Sequence, residues 1–155
     1  MLNSAARCLL VEDDANDVEM LSLAFTRLGW ADRLVSVSNG QEAVEYLEGK
    51  DKYADRAKYP LPTLIILDIK MPRMNGFEFM SWLRAHASLN PLPVLVLTSS
   101  QDPKDIERAK ALSVVSYLVK PGGFQKVLEC SRLIVAISQA ISEGRPFSRS
   151  FPSGT

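Results

Sequence analysis

Three apolar runs without alternation mark the chain: Cys8–Val11, Leu64–Leu67 and Val94–Leu97. Each is short, rich in Val, Ile or Leu, and closed by a polar residue. That is the pattern of strands covered on both faces, as in a parallel sheet. Leu34–Val37 and Tyr117–Val119 read as two further strands nearer the sheet edges. Between the runs the apolar period changes to that of a helix. Val18, Leu21, Phe25 and Leu28 repeat at helical spacing, with Asp14 placed to cap the helix and Gly29 to stop it. Ala43, Val44 and Leu47 mark a helix opening after Asn39-Gly40, and Phe79, Met80 and Leu83 one opening near Asn75-Gly76. Ile106, Ala109 and Leu112 follow Asp102-Pro103, a capping residue with proline in the first turn. A last helix is expected from about Phe124 to Ser142. Strands alternating with helices predict an α/β domain, a doubly wound five-stranded parallel sheet with right-handed crossovers.

Two segments break the alternation. Residues 50–62 carry Lys, Tyr, Asp and two prolines and read as an ordered surface loop before the third strand. Residues 143–155 hold Gly, Pro, Ser and Arg without periodicity and are expected to form a flexible tail behind a domain of residues 1–142, with no output domain. Composition narrows the picture further. A length of 155 residues suits one domain, and 18 basic against 18 acidic residues leave no net charge. No bulk field therefore draws the chain to nucleic acid or to an anionic membrane. Met1-Leu2-Asn3-Ser4 lacks the basic start of a signal peptide, and no apolar run approaches the ~20 residues of a membrane span. Cys8 and Cys130 lie in apolar stretches and read as reduced core residues. A cytoplasmic domain is expected, with neither nucleic acid nor membrane as partner.

In an open α/β sheet, ligands bind beyond the carboxyl ends of the strands. Here the first strand ends in Glu12-Asp13-Asp14, the third in Asp68, the fourth in Thr98-Ser99 and the fifth in Lys120-Pro121. Singly, each has an ordinary reading. The acids would load the positive end of a helix, Asp68 would be a loop acid, Thr98 a strand residue and Lys120 a solvated cation. Jointly they deliver carboxylates, a hydroxyl and an ammonium to one rim. Glu12, Asp13 and Asp68 would repel one another unless a hard cation with oxygen ligands binds, most simply Mg²⁺. A carboxylate beside such an ion, a lysine and a hydroxyl is equipped to attack a phosphoryl group and form an acyl phosphate. No Walker A, G-x-G-x-x-G, G-x-S-x-G or H-E-x-x-H pattern offers other chemistry. The single histidine, His86, is expected at the surface, away from the rim.

Leu9–Asp14, Leu67–Gly76, Val96–Ser99 and Tyr117–Pro121 together resemble the receiver domain of two-component response regulators, in order and over about residues 7–142. The resemblance implies the CheY-like, flavodoxin-like (βα)5 receiver fold. It also implies that Asp68 accepts a phosphoryl group from a phosphohistidine on a sensor histidine kinase or phosphotransfer protein. Asp13 would bind Mg²⁺ directly, Glu12 through water, and the backbone carbonyl of Lys70 would supply a further ligand. Lys120 would pair with phosphoryl oxygens. Thr98 would turn its hydroxyl to the phosphoryl group, and Tyr117 would swing into the space vacated. That pair would couple Asp68 to the surface of the fourth helix, fifth strand and fifth helix. The Tyr53-Ala54-Asp55 loop and the insertion before the third strand resemble small stand-alone regulators that partner bacterial and cyanobacterial phytochromes. Asn75 and Gly122-Gly123 depart from the usual family residues, and Lys70 and Ser100 flank the site where members tune phosphoryl lifetime.

The last helix shows two apolar stripes at 100° per residue, Phe124, Val127, Leu128, Ile134 and Val135 against Cys130, Leu133 and Ile137. The second stripe suggests a homodimer through the fourth-helix to fifth-helix face with Leu133 and Ile137 at its centre, the tail folding back over it being the other cover. Three functions compete. A phosphorylation switch that turns over only its own phosphoryl group, and is not a turnover enzyme, leads. A phosphorylation-independent adaptor or dimerisation module would be expected to have lost an acid, Thr98 or Lys120, and none is lost. An aspartyl phosphatase would want an acid two residues beyond Asp68, where Lys70 stands.

Overall fold

The computed structural model describes residues 6–153. The start read for a signal peptide (residues 1–5) and the last two residues of the tail lie outside the described residues. Five strands, β1 Cys8–Val11, β2 Leu34–Val37, β3 Leu64–Leu67, β4 Val94–Thr98 and β5 Ser116–Val119, alternate with five helices. The helices are α1 Ala15–Arg27, α2 Gly40–Glu48, α3 Gly76–Ala85, α4 Pro103–Ala111 and α5 Phe124–Glu143. Every neighbouring pair of strands is parallel, in the order β2-β1-β3-β4-β5, the flavodoxin-like order. β1, β3 and β4 are buried along their whole length, as their unbroken apolar runs require, while β2 and β5 at the edges are partly open.

Alternate strand residues feed two cores. Leu9, Val11, Ile65, Leu67 and Val96 meet α2, α3 and α4 on one face; Cys8, Leu10, Leu64, Ile66, Leu95 and Leu97 meet α1 and α5 on the other. The expected caps form. Asp14 accepts from the Asn16 and Asp17 N–H groups, Asn39 from Glu42, Asn75 builds a capping box with Glu78, and Asp102 caps Lys104 ahead of Pro103. All four caps lie in loops leaving the carboxyl ends of strands, so the same residues that start the helices orient the rim. Burial pushes the Cys8 and Cys130 thiols up to about 11, and both are free.

The loop at residues 50–62 is ordered and walls one core. A 3₁₀ turn at Asp51–Ala54 buries Tyr53, whose ring lies 4.9 Å from that of Tyr46 and 5.0 Å from that of Tyr59. The Arg56 guanidinium donates to the carbonyls of Tyr46, Leu47 and Tyr59. His86 ends α3 half-buried against the Trp82 ring, rather than fully at the surface, and lies away from the rim.

Two expectations are corrected. Residues 145–153 are not a flexible tail. The Tyr117 N–H donates to the Ser150 carbonyl at 2.8 Å, and the Ser150 N–H donates to Ser116 Oγ at 3.0 Å. Phe151 packs on the α2–α4 core beneath Lys110, and Phe147 on the α1–α5 core. An edge strand with unpaired amides and two phenylalanines four residues apart are better satisfied together than in water. Ile137 is not an interface residue either. It is 1% exposed and belongs to the core, whereas Leu133 is 37% exposed. Val127, Cys130, Ile134, Ile137 and Ile141 form one continuous stripe against the sheet, so α5 has a single buried face on this side and Leu133 stands outside it.

Candidate functional site

The backbone ladder runs one residue past each strand and places the polar residues. The Glu12 N–H donates to the Val37 carbonyl, that of Asp68 to Val11 and that of Lys120 to Thr98, at 2.8–3.1 Å. Glu12, Asp68, Thr98 and Lys120 are thereby set at neighbouring heights on the rim of a rigid sheet, which is how residues far apart in the chain form one group.

Asp68 is 4% exposed. One carboxylate oxygen accepts from the Lys70 N–H at 3.0 Å and the other from Lys120 Nζ at 3.0 Å. Lys120 also donates to Glu12 at 2.8 Å and to Asp17 at 2.6 Å. Burial alone would lower the Lys120 ammonium, but its bonds to Asp17, Glu12 and Asp68 outweigh it and hold the group well above the usual lysine range. Glu12 shows the opposite balance. Burial pushes its carboxyl up to about 7, with the Asp68 charge acting in the same direction, although Lys120 and the Asp14 N–H pull against them. The carboxylates of Glu12, Asp17 and Asp68 thus share the Lys120 ammonium. Asp13 is exposed beside them, and oxygens of Glu12, Asp13 and Asp68 lie within 4.8 Å of one another. An all-oxygen set of this kind fits a hard divalent cation such as Mg²⁺.

Thr98 is fully buried, its hydroxyl 3.4 Å from the Ser100 N–H. Tyr117 is 1% exposed, and its hydroxyl donates to the Ser100 carbonyl at 2.9 Å. The ring expected to swing inward already lies inside, in the α2–α4 core. Lys70 is exposed, and its ammonium pairs with Asp105 at 3.1 Å. The structure therefore brings together Asp68, Glu12, Asp13, Lys70 and Lys120, with Thr98 ending the neighbouring strand and Tyr117 joined to the loop after it through Ser100. Leu133 and Ile137 lie on α5, outside this group.

Two contributors had no individual mark in the sequence. Asp17 reads as one more acid favoured in the first turn of a capped helix, yet its carboxylate binds Lys120. Asp105, also in a first turn, accepts from Ser100 Oγ at 2.5 Å and from Lys70. Burial would raise the Asp105 carboxyl, but these two partners hold it below its ordinary value. The available signal was positional, since both acids sit in the first turn of a helix that begins at the rim.

The sequence model of the family described as response regulator receiver domain matches residues 8–132. The probable methanogenesis regulatory protein FilR2 of Methanothrix harundinacea is 34% identical over 117 residues, which are 76% of this chain and 73% of that protein. Among solved structures, the phosphorylated cyanobacterial phytochrome response regulator RcpA aligns with a TM-score of 0.77 at 26% identity, covering 91% of this chain and 96% of that one. The Mn²⁺-bound form of response regulator Rcp1 aligns with a TM-score of 0.73 at 26% identity, covering 84% and 92%.

Proposed function

This chain belongs to the response regulator receiver domain family, and from that premise we propose that it is a phosphorylation switch whose acceptor is Asp68. The observation that carries the reading is the setting of one carboxylate. Asp68 is buried between the Lys120 ammonium and the Lys70 N–H, with Glu12 and Asp13 in reach of a shared cation. An Asp68 oxygen attacks the phosphorus of a phosphohistidine. The O–P bond forms as the P–N bond breaks, and the imidazole nitrogen leaves with the electron pair. The Lys70 N–H holds the second Asp68 oxygen still, so the attacking lone pair keeps its aim. Lys120 donates a hydrogen bond from its ammonium to a phosphoryl oxygen and offsets charge there. Asp13, Asp68, Glu12 through water and the Lys70 carbonyl would hold Mg²⁺, which when bound neutralises charge on the phosphoryl oxygens.

The new charge is read out through Thr98. Turning its hydroxyl toward the phosphoryl group moves the Ser99-Ser100 segment, and the Ser100 carbonyl is already bonded to Tyr117. Tyr117 in turn lies on β5 between α4 and α5, so the disturbance reaches that face. On this reading the chain turns over only its own phosphoryl group. Its donor would be a sensor histidine kinase or phosphotransfer protein, with a phytochrome-type kinase favoured by the likeness to RcpA. Self-association through the α4-β5-α5 face would use Leu133 as its apolar contact.

Intact mass after incubation with acetyl phosphate and Mg²⁺ tests the acceptor. A single phosphoryl adduct is expected in the parent, with none in Asp68→Asn or in the presence of EDTA. An adduct of equal yield in Asp68→Asn overturns the assignment, and no adduct from acetyl phosphate or a kinase favours a phosphorylation-independent adaptor.

A further inference from the structure

We propose that Asp17 is a positioning residue that tethers the Lys120 ammonium from the rim and thereby shortens the lifetime of a phosphoryl group on Asp68. The proposal rests on the receiver reading above. An ammonium has three protons to donate and no further capacity. Lys120 is held by three carboxylates, hydrogen-bonded at 2.6 Å to Asp17 and 3.0 Å to Asp68 and ion-paired at 2.8 Å with Glu12. Asp17 is the shortest of the three contacts and the most open to solvent, its side chain 42% exposed against 3% for Glu12 and 5% for Asp68.

Asp17 is anchored at the mouth, on a different element from Glu12 and Asp68. Its N–H is bonded to the capping carboxylate of Asp14 at 3.1 Å, and α1 is packed against α5 through the core. A phosphoryl group on Asp68 brings a dianion to within reach of Nζ and must win a proton from one of the carboxylates already served. Glu12 and Asp68 are deep in the same pocket, whereas Asp17 holds Nζ toward the mouth and adds its own negative charge there. Both effects weaken the grip of Lys120 on phosphoryl oxygens and leave them open to water. Neutralising Asp17 frees a donor and removes one like charge facing the dianion, so loss of the phosphoryl group slows and uptake from an anionic donor quickens.

The test compares the parent with Asp17→Asn, Asp17→Ala and Asp17→Glu. Each is phosphorylated with acetyl phosphate and Mg²⁺, freed of donor, and followed by intact mass. Asp17→Asn and Asp17→Ala are expected to lengthen the phosphoryl half-life about three- to tenfold, the range for a half-exposed charge-assisted bond, and to quicken uptake. Asp17→Glu, which restores the charge, is expected to return toward the parent. An unchanged or shortened half-life in both neutral variants overturns the proposal. The ¹⁵Nζ signal of the Lys120 ammonium provides a readout without phosphorylation, since three carboxylates slow its proton exchange. Broadening in both neutral variants supports the tether, and an unchanged signal overturns it. A parent that takes up no phosphoryl group from acetyl phosphate or a kinase defeats the phosphoacceptor reading, and the ammonium signal then decides the tether alone.

Discussion

Glu12 concentrates the electrostatics of the site in one residue. Burial beside the Asp68 charge pushes its carboxyl up to about 7 from an ordinary value of 4.5. Between those pH values the unfolded chain has released a proton that the folded protein keeps. The folded state then binds more protons, so this group's contribution to stability falls as pH rises through that window and is constant above it. In the presence of a chelator, the thermal midpoint of the parent is expected to show this decline, and Glu12→Gln to flatten it. Equal slopes in the two proteins would show that Glu12 is not the source. At this scale the acids at residues 12, 13 and 68 were legible because strand ends converge in an α/β sheet. Asp17 was not, because its partner is 103 positions away and nothing in a first-turn acid says which cation will come near it.

At the scale of elements, the junction of β3 and α3 shows how little room the acceptor loop has. A Cβ on Gly76 would lie 2.5 Å from Ile69 Cα and 2.7 Å from the Asp68 carbonyl oxygen. Both contacts are backbone, so neither can rotate away. Gly76→Ala is expected to cost roughly 1–3 kcal/mol, read as a lower midpoint in denaturant. It should also reduce phosphoryl uptake, because the atoms displaced carry Asp68. Retained stability and uptake would mean that the loop is softer than its packing implies. Four of the helices were readable from Asp14, Asn39, Asn75 and Asp102, which act locally through their own turns. The 3₁₀ turns at Ala31–Arg33 and Asp51–Ala54 are too short to show a period. The two stripes read on α5 failed for a different reason: with α5 packed on the sheet, its apolar residues at positions 127, 130, 134, 137 and 141 merge into one buried face.

For the whole molecule, the last described segment closes the sheet edge at the face proposed to carry the signal. Deleting residues 145–155 uncovers both cores where Phe147 and Phe151 sit and frees the Tyr117 N–H. A loss of roughly 2–4 kcal/mol is expected from two partly buried aromatic rings, seen as a lowered thermal midpoint. The exposed β5 edge and Leu133 should also raise self-association in sedimentation velocity, and Leu133→Glu in the shortened chain should reverse it. A shortened chain as stable and as monomeric as the parent would show that the segment contributes nothing to this face.

The sequence alone carried the class of fold, the element order and the convergence of acids, hydroxyl and lysine, because apolar period and helix caps are local signals, while the strand order came only with the family resemblance. Tertiary structure decided the rest. It chose Asp17 and Asp105 among many acids, drew Ile137 into the core, and docked Phe147 and Phe151 beside β5. Those outcomes depend on which surfaces meet, and a linear pattern of polar and apolar residues carries no record of distances between residues a hundred positions apart.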